Sequence, residues 1–169
     1  AIYGNFANRV LSLIKKYYDG KIPKVKSKNR VDDLGLEDVK VLKEEIESNL
    51  DSFKFREATK NLMNIARVGN KYLAETEPWK IKESDPLRVE QILHTSFIII
   101  SYLAIVSEPF LPFTSVKLKN MIGLNDYSWD DLDKIFGTLN YNFTIVDIVI
   151  LFKRIEDSEI EYQIDKLKK

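Results

Sequence analysis

The sequence contains no cysteine and only one histidine, His94, among its 169 residues. The lack of cysteine excludes disulfides, thiolate metal sites and cysteine nucleophiles, and it fits the reducing cytoplasm, where we expect this protein. A single histidine cannot form the histidine clusters that hold zinc. We therefore expect neither a metal nor a cofactor in this chain.

Sequence signatures of catalysis are missing as well. The six glycines form no phosphate-binding loop, and neither a GxSxG nor an HExxH motif occurs. His94 lies in an apolar stretch beside Leu93 and Phe97, which favours a structural role over a catalytic one. The carboxylates are scattered over polar helix faces, and no two of them pair as acid and base. We predict no catalytic residue.

Long hydrophobic runs are also absent. The longest, at 97–106, covers about ten residues, whereas a membrane-spanning helix needs about twenty. This run predicts a buried helix, and we expect no association with a membrane. No basic and apolar leader precedes the first helix, so we expect no targeting peptide. The first residue is Ala1 and not methionine, which is compatible with a piece of a longer protein.

Neither sign of charge is in excess, because 26 basic residues balance 26 acidic ones. The distribution is uneven: basic residues crowd the segment 15–30, and acidic residues crowd the segment 32–47. The basic residues are Lys15, Lys16, Lys21, Lys24, Lys26, Lys28 and Arg30. A local basic patch can contact phosphates while the whole molecule stays neutral. The alternative is the ordinary solvated loop of a lysine-rich protein.

Helical periodicity dominates what is present. It predicts an all-α fold, with an antiparallel bundle of about five main helices at 1–124. A C-terminal appendix at 125–169 belongs to the same domain, packs on the bundle, and contains an extended segment near 144–152 and a terminal helix. Asp51-Ser52 and Asp85-Pro86 predict the starts of the third and fourth helices. The predicted helices are 2–18, 36–50, 53–75, 86–107, 112–122, a short one from Ser128, and a last one from Asp157-Ser158.

A polar stripe follows the first helix. Its members recur at three- and four-residue spacing, so they share one face; they are Asn5, Arg9, Ser12 and Lys16. Asn5 and Arg9 lie one turn apart and together could hydrogen-bond the edge of a single base, because asparagine offers a donor and an acceptor and arginine offers a fork of donors. The alternative is a plain solvent-facing surface.

Trp79 follows Pro78 just past the end of the third predicted helix. A tryptophan on a backbone stiffened by proline can be a platform on which an unpaired RNA base stacks. The alternative is a core or lid residue, which is common for a tryptophan near a helix end. Trp129, the second tryptophan, has no neighbours that suggest a ligand site.

Several motifs occur together in one order along the chain. They are GNFANRV at 4–10, KYYDGKIP at 16–23, FREA at 55–58, NKY at 70–72, EPWK at 77–80, PFLP at 109–112 and LFKRIED at 151–157. In this respect the chain resembles the C-terminal anticodon-binding domain of methionyl-tRNA synthetase, over most of 2–124 and again near 150. Other class I synthetases share the helical bundle and the spacing from tyrosine to tryptophan, so the domain of another class I enzyme is an alternative.

The resemblance implies a site for the anticodon loop of methionine tRNA. In this family the residues that correspond to Asn5 and Arg9 read the first base of the CAU anticodon, and the tryptophan of the Pro78–Trp79 pair stacks under it. We therefore expect Asn5, Arg9, Pro78 and Trp79 to contact the anticodon. Independently of the resemblance, the basic segment 15–30 predicts weak phosphate contacts from Lys16, Lys21 and Lys24. The family often has an acidic residue where this chain has Ala74, so we expect no contact of that kind from this position.

The resemblance also implies what the chain lacks. The family's ATP-binding motifs, His-Ile-Gly-His and Lys-Met-Ser-Lys-Ser, do not occur. We therefore expect the C-terminal part of a methionine–tRNA ligase, which binds tRNA while a missing catalytic domain uses ATP to attach methionine. The fragment itself is expected to be non-catalytic. A last alternative is a helical protein-interaction module without RNA binding, which predicts that Trp79 lies far from Asn5 and Arg9.

Overall fold

One apolar helix, Pro86–Val106, lies at the centre of the fold. The structure is a computed structural model that describes residues 2–25, 29–135, 142–153 and 155–168. Within these ranges it contains helices and no named strand, so the prediction of an all-α bundle is confirmed. The elements are α1 (Ile2–Tyr18), α2 (Arg30–Asp51), α3 (Phe55–Thr76), α4 (Pro78–Ile81), α5 (Pro86–Val106), α6 (Pro112–Ile122), a 3-10 turn (Trp129–Asp131), α7 (Leu132–Ile135) and α8 (Asp157–Leu167).

The central helix α5 is apolar on every side. It begins as expected, with Pro86 in its first turn and the Asp85 carboxylate accepting a hydrogen bond from the backbone N–H of Arg88 at 3.0 Å. Every residue from Ile92 to Val106 is buried. By length and composition α5 is the one helix among the described residues that would qualify as a membrane span, but 89% of its most apolar window is buried. The other helices cover it, and it forms the core.

His94 is one of the few polar residues of this core. Its side chain is buried, and its Nδ1 lies 2.8 Å from the carbonyl oxygen of Pro23. The histidine therefore connects α5 to the loop that follows α1, which agrees with the structural role that the sequence suggests.

Two predicted helix starts are wrong. The helix α2 begins at Arg30, six residues before the predicted position 36, because Asn29 caps it. The Asn29 side chain accepts from the N–H of Val31 at 3.1 Å, and the Asp32 carboxylate accepts from the N–H of Asn29 at 2.9 Å. The helix then continues through Asp51, and α3 starts at Phe55 without a side-chain cap. Asp51-Ser52 thus ends one helix and does not start the next.

The extended C-terminal segment packs across α1 and α6. Ile145 donates its N–H to the carbonyl of Gly20 at 2.9 Å, and the N–H of Val149 lies 3.2 Å from the sulfur of Met121. Between residues 142 and 153 the chain forms no helix, and its one assigned pairing is an isolated β-bridge between Thr144 and Lys21. The extended conformation near 144–152 stays a prediction. The helix α8 follows the segment, and none of its side chains is buried. The division of the chain at residue 124 stays a prediction.

Candidate nucleic-acid interface

Two members of the polar stripe of α1, Asn5 and Arg9, line an open groove of about 620 Å³. The amphipathic pattern of α1 buries Phe6 and Val10 and leaves Asn5 and Arg9 on the outer side of the helix. The opposite wall of the groove comes from α3. Its lining residues are Ile2, Asn5, Arg9, Arg67, Asn70, Lys71 and Ala74. The structure therefore places Asn5 and Arg9 in one groove, as their spacing predicts.

Asn70 holds the groove together across the two helices. Its amide nitrogen donates to the carbonyl oxygen of Ile2 on α1 at 3.1 Å and to that of Ala66 on α3 at 2.9 Å. Because both of these contacts use the nitrogen, the amide oxygen is turned toward Arg9 and accepts from its Nη1 at 3.5 Å. Asn70 thereby limits where the guanidinium can lie.

Trp79 is positioned by a sharp change of direction after α3. Glu77 adopts a left-handed conformation, with φ of 41°, and donates its N–H to the carbonyl of Leu73 at 3.1 Å. Pro78 then opens the single turn of α4 and is itself buried. Trp79 follows with 40% of its surface exposed. Pro78 thus fixes the backbone under the indole and presents no surface of its own.

Arg9 connects the tryptophan to the groove. Its guanidinium carbon lies 5.3 Å from the centroid of the Trp79 ring, within the range of a cation–π contact. The same residue lines the groove together with Asn5. The protein-interaction alternative predicts that Trp79 lies far from Arg9 and Asn5, and for Arg9 this prediction is wrong.

Sequence reasoning missed the contribution of α3 to this surface. Residues 70 and 71 each lie three or four positions from both 67 and 74, which places all four on one face of a helix. The sequence shows this spacing, but it does not show that this face of α3 lies beside α1. Arg67 and Lys71 add positive charge beside Arg9, and the residues that line the groove include no carboxylate. Ala74 stands in the groove, so the position where the family often has an acid is neutral here.

The lysines expected to contact phosphates are distributed over two surfaces. Lys24 donates to the Asn142 side chain at 3.0 Å, and Lys21 forms a β-bridge with Thr144, so both lie against the C-terminal segment. Lys16 lies elsewhere, with its Nζ 5.8 Å from the ring centroid of Tyr17. Lys26 and Lys28 lie outside the described residues. Among the described lysines of the segment, Lys16, Lys21 and Lys24 therefore do not form one continuous patch around Trp79.

A protein-family model matches most of this chain. A family model described as the anticodon binding domain of methionyl tRNA ligase matches residues 22–168. The chain belongs to this family. The assignment confirms the resemblance and decides against the domain of another class I synthetase. The matched segment contains Pro78 and Trp79 but begins after Asn5 and Arg9.

Curated relatives extend the similarity over the first helix. The domain is 45% identical over 167 residues to a methionine–tRNA ligase of Phocaeicola vulgatus, and 46% identical over 171 residues to one of Cytophaga hutchinsonii. Each alignment covers 99% of this chain and 24% of the relative. The domain thus spans about a quarter of the length of these relatives.

Solved structures share the fold. The domain matches the apo form of methionyl-tRNA synthetase from Mycobacterium tuberculosis with a TM-score of 0.83 and 22% sequence identity, over 92% of this chain and 32% of that chain. A second structure from the same organism, in complex with methionyl-adenylate, matches with a TM-score of 0.78. At this level of identity the likeness concerns the arrangement of the helices.

Proposed function

We propose that the domain binds the anticodon loop of methionine tRNA and reads the first base of its CAU anticodon with Asn5, Arg9 and Trp79. The observation that carries the proposal is the position of Arg9, which packs on the Trp79 ring and lines one groove with Asn5. A base stacked beside Trp79 therefore lies within reach of Arg9.

Trp79 supplies affinity in this proposal. Stacking of a base on an aromatic ring contributes about 1–3 kcal/mol and depends little on which base is present. The indole is 40% exposed, so part of its surface is accessible to a base. Buried Pro78 and the left-handed Glu77 hold the ring in place before RNA arrives, which lowers the entropic cost of binding.

Asn5 and Arg9 supply selectivity. The pairing edge of cytosine has one amino donor and two acceptors, which the carbonyl oxygen of asparagine and the forked donors of arginine can complement. Uracil has a donor at its ring nitrogen and an acceptor in place of the amino group. It would leave unpaired those polar groups that the bound base shields from water, and such groups cost about 1–3 kcal/mol each.

The domain acts, in this proposal, as part of a longer cytoplasmic methionine–tRNA ligase. The chain spans about a quarter of the relatives it matches and lacks the ATP-binding motifs of the family. Attachment of methionine with ATP is then the task of a catalytic domain outside this chain. The domain contributes recognition of the tRNA and no chemistry.

A titration of fluorescent anticodon stem-loops tests the proposal. We expect Trp79→Ala to weaken binding of a CAU stem-loop by roughly 5- to 150-fold, which corresponds to the loss of one stacked base. Trp79→Phe should retain part of the affinity because it retains an aromatic face. Trp129→Phe serves as the matched control, since the Trp129 indole binds Glu47 at 2.7 Å, away from the groove.

Selectivity is measured with a second stem-loop, in which the first anticodon base is U. We expect Asn5→Ala and Arg9→Lys to reduce the preference for CAU over UAU by roughly tenfold or more. Arg9→Lys preserves the charge and removes the fork of donors. Unchanged binding by Trp79→Ala, or an unchanged preference in both of the other variants, would refute this function.

A further inference from the structure

Two contacts between cations and aromatic rings join α1 to the α4 turn. The first is the contact of Arg9 with Trp79. In the second, Lys82, which directly follows α4, places its Nζ 4.7 Å from the ring centroid of Tyr17 on α1. Lys16 places its Nζ 5.8 Å from the same ring. We name Lys16, Tyr17 and Lys82 the Tyr17 cluster.

The Tyr17 cluster lies next to the site proposed for the base. Trp79 and Lys82 are three residues apart, and Lys82 continues the helical conformation of α4, so both are on the same side of this turn. On α1, Arg9 and Lys16 are separated by seven residues, which is two turns or roughly 10 Å along the axis. The two contacts therefore connect α1 to the α4 turn at positions about two helical turns apart on α1.

Among the described residues, the charges of the cluster have little compensation. Two ammonium groups approach one ring, and the carboxylate paired with Lys82, that of Glu83, lies 3.8 Å away on a side chain that is 93% exposed. Such an exposed pair contributes little to stability. No ion pair involving Lys16 occurs among the described salt bridges. Two gathered positive charges beside a partly buried tyrosine match the chemistry of a phosphodiester, which offers a negative charge and several hydrogen-bond acceptors.

We propose that the Tyr17 cluster binds a backbone phosphate of the same RNA whose base is held at Trp79. This inference rests on the proposed function and assigns a second contact to it. The proposed phosphate site is local and does not include the whole basic segment 15–30. Lys21 and Lys24 of that segment lie against the C-terminal segment and belong to another surface. The cluster contributes to affinity and does not select the base, since phosphates carry no sequence information.

The test compares two double variants that each remove two positive charges. Lys16→Gln with Lys82→Gln removes the lysines of the cluster, and Lys21→Gln with Lys24→Gln is the control. Binding of the CAU stem-loop is titrated between about 0.05 and 0.3 M salt, and thermal unfolding shows that each variant is folded. We expect the cluster variant to bind about tenfold more weakly and to reduce the slope of log affinity against log salt by about one. Its preference for CAU over UAU should be unchanged.

Three results would overturn the inference. They are an unchanged salt slope in the cluster variant, an equal effect in the control variant, and a loss of base preference without a loss of affinity. The proposed function is tested separately by Trp79→Ala. If Trp79→Ala binds normally while the cluster variant loses affinity and salt dependence, the base site is refuted and the phosphate site is supported. If the wild-type domain does not bind the stem-loop at all, both proposals fail.

Discussion

Gly69 shows how closely α3 approaches α1 beneath the groove. A Cβ atom placed on Gly69 would lie 2.2 Å from Cζ of Phe6, a side chain that is fully buried. Glycine inside a helix normally costs about 1 kcal/mol relative to alanine, so the substitution to alanine usually stabilises a helix. Here the absence of a side chain allows Phe6 to pack against the backbone of α3. This contact brings Asn5 and Arg9 close to Asn70.

We predict that Gly69→Ala destabilises the domain by about 1–3 kcal/mol, because the methyl group displaces Phe6 in a packed core. Urea denaturation monitored by circular dichroism measures this change. Gly35→Ala is the control: Gly35 is also inside a helix, but its added Cβ would meet only the Tyr72 ring at 3.8 Å, an ordinary contact. It should stabilise the domain by about 0.5–1 kcal/mol. A stabilising Gly69→Ala would show that the core can accommodate the methyl group.

At the scale of the helices, a buried ion pair and a tyrosine hydroxyl connect α2, α3 and α5. Asp32 of α2 is fully buried and accepts two hydrogen bonds from the guanidinium of Arg88 on α5, at 2.7 and 2.8 Å. The hydroxyl of Tyr72 on α3 donates to the same carboxylate. Burial alone would raise the pKa of Asp32, but these hydrogen bonds hold it below its ordinary value. Tyr72 lies two residues after Asn70, so this network also anchors the α3 wall of the groove.

We predict that Asp32→Asn destabilises the domain by about 3–5 kcal/mol at neutral pH, because it leaves the largely buried Arg88 without its counter-charge. The pKa of Asp32 is lower in the folded than in the unfolded chain. Its contribution to the free energy of unfolding is therefore complete above the unfolded value of about 3.9, and it is lost as the pH falls through the folded value.

Chemical denaturation at pH 7 and near pH 3 measures this dependence. The difference between wild type and Asp32→Asn should shrink at the lower pH. The control is Asp165→Asn, because Asp165 pairs with Lys168 in an exposed position of α8 and should contribute little at either pH. A difference that stays constant with pH would show that the loss in Asp32→Asn comes from packing and not from charge.

The sequence predicts most helices because their signals are local. Proline in the first turn marks the starts of α5 and α6, and apolar spacing gives the length of α1. The start of α2 was not predicted, because Asn29 lies at the end of a lysine-rich segment that was interpreted as a loop. The α4 turn was missed because four residues are too few to show a helical period.

The residues of the candidate site also differ in whether a local sequence pattern predicts their position. Asn5 and Arg9 could be placed on one face from α1 alone, since their spacing is a property of a single helix. Arg67, Asn70 and Lys71 join them only through the packing of α3 against α1, which no local pattern encodes. The separation of Lys16 from Lys21 and Lys24 likewise depends on where the C-terminal segment returns to the bundle.

At the scale of the whole molecule, the described residues differ in how firmly they are attached to the core. The extended segment buries Ile145, whereas α8 buries none of its side chains. The apolar residues Ile160, Ile164 and Leu167 of α8 are all exposed. The bundle is therefore expected to fold and to bind RNA independently of α8.

We predict that deletion of residues 157–169 changes the melting temperature by less than about 2 °C, because surface groups that make few contacts contribute little to stability. Differential scanning calorimetry measures this, and the same protein should bind the CAU stem-loop as the full chain does. A markedly lower melting temperature would mean that the apolar face of α8 packs on the bundle in solution.

The central position of α5 has a consequence for the protein during its synthesis. The helices α1 to α4, which pack against α5, precede it in the chain, and α6 and α7 follow. When the apolar segment leaves the ribosome, the helices that cover much of it have already been made. Exposed apolar segments aggregate and are bound by chaperones. This order along the chain shortens the time for which α5 is exposed.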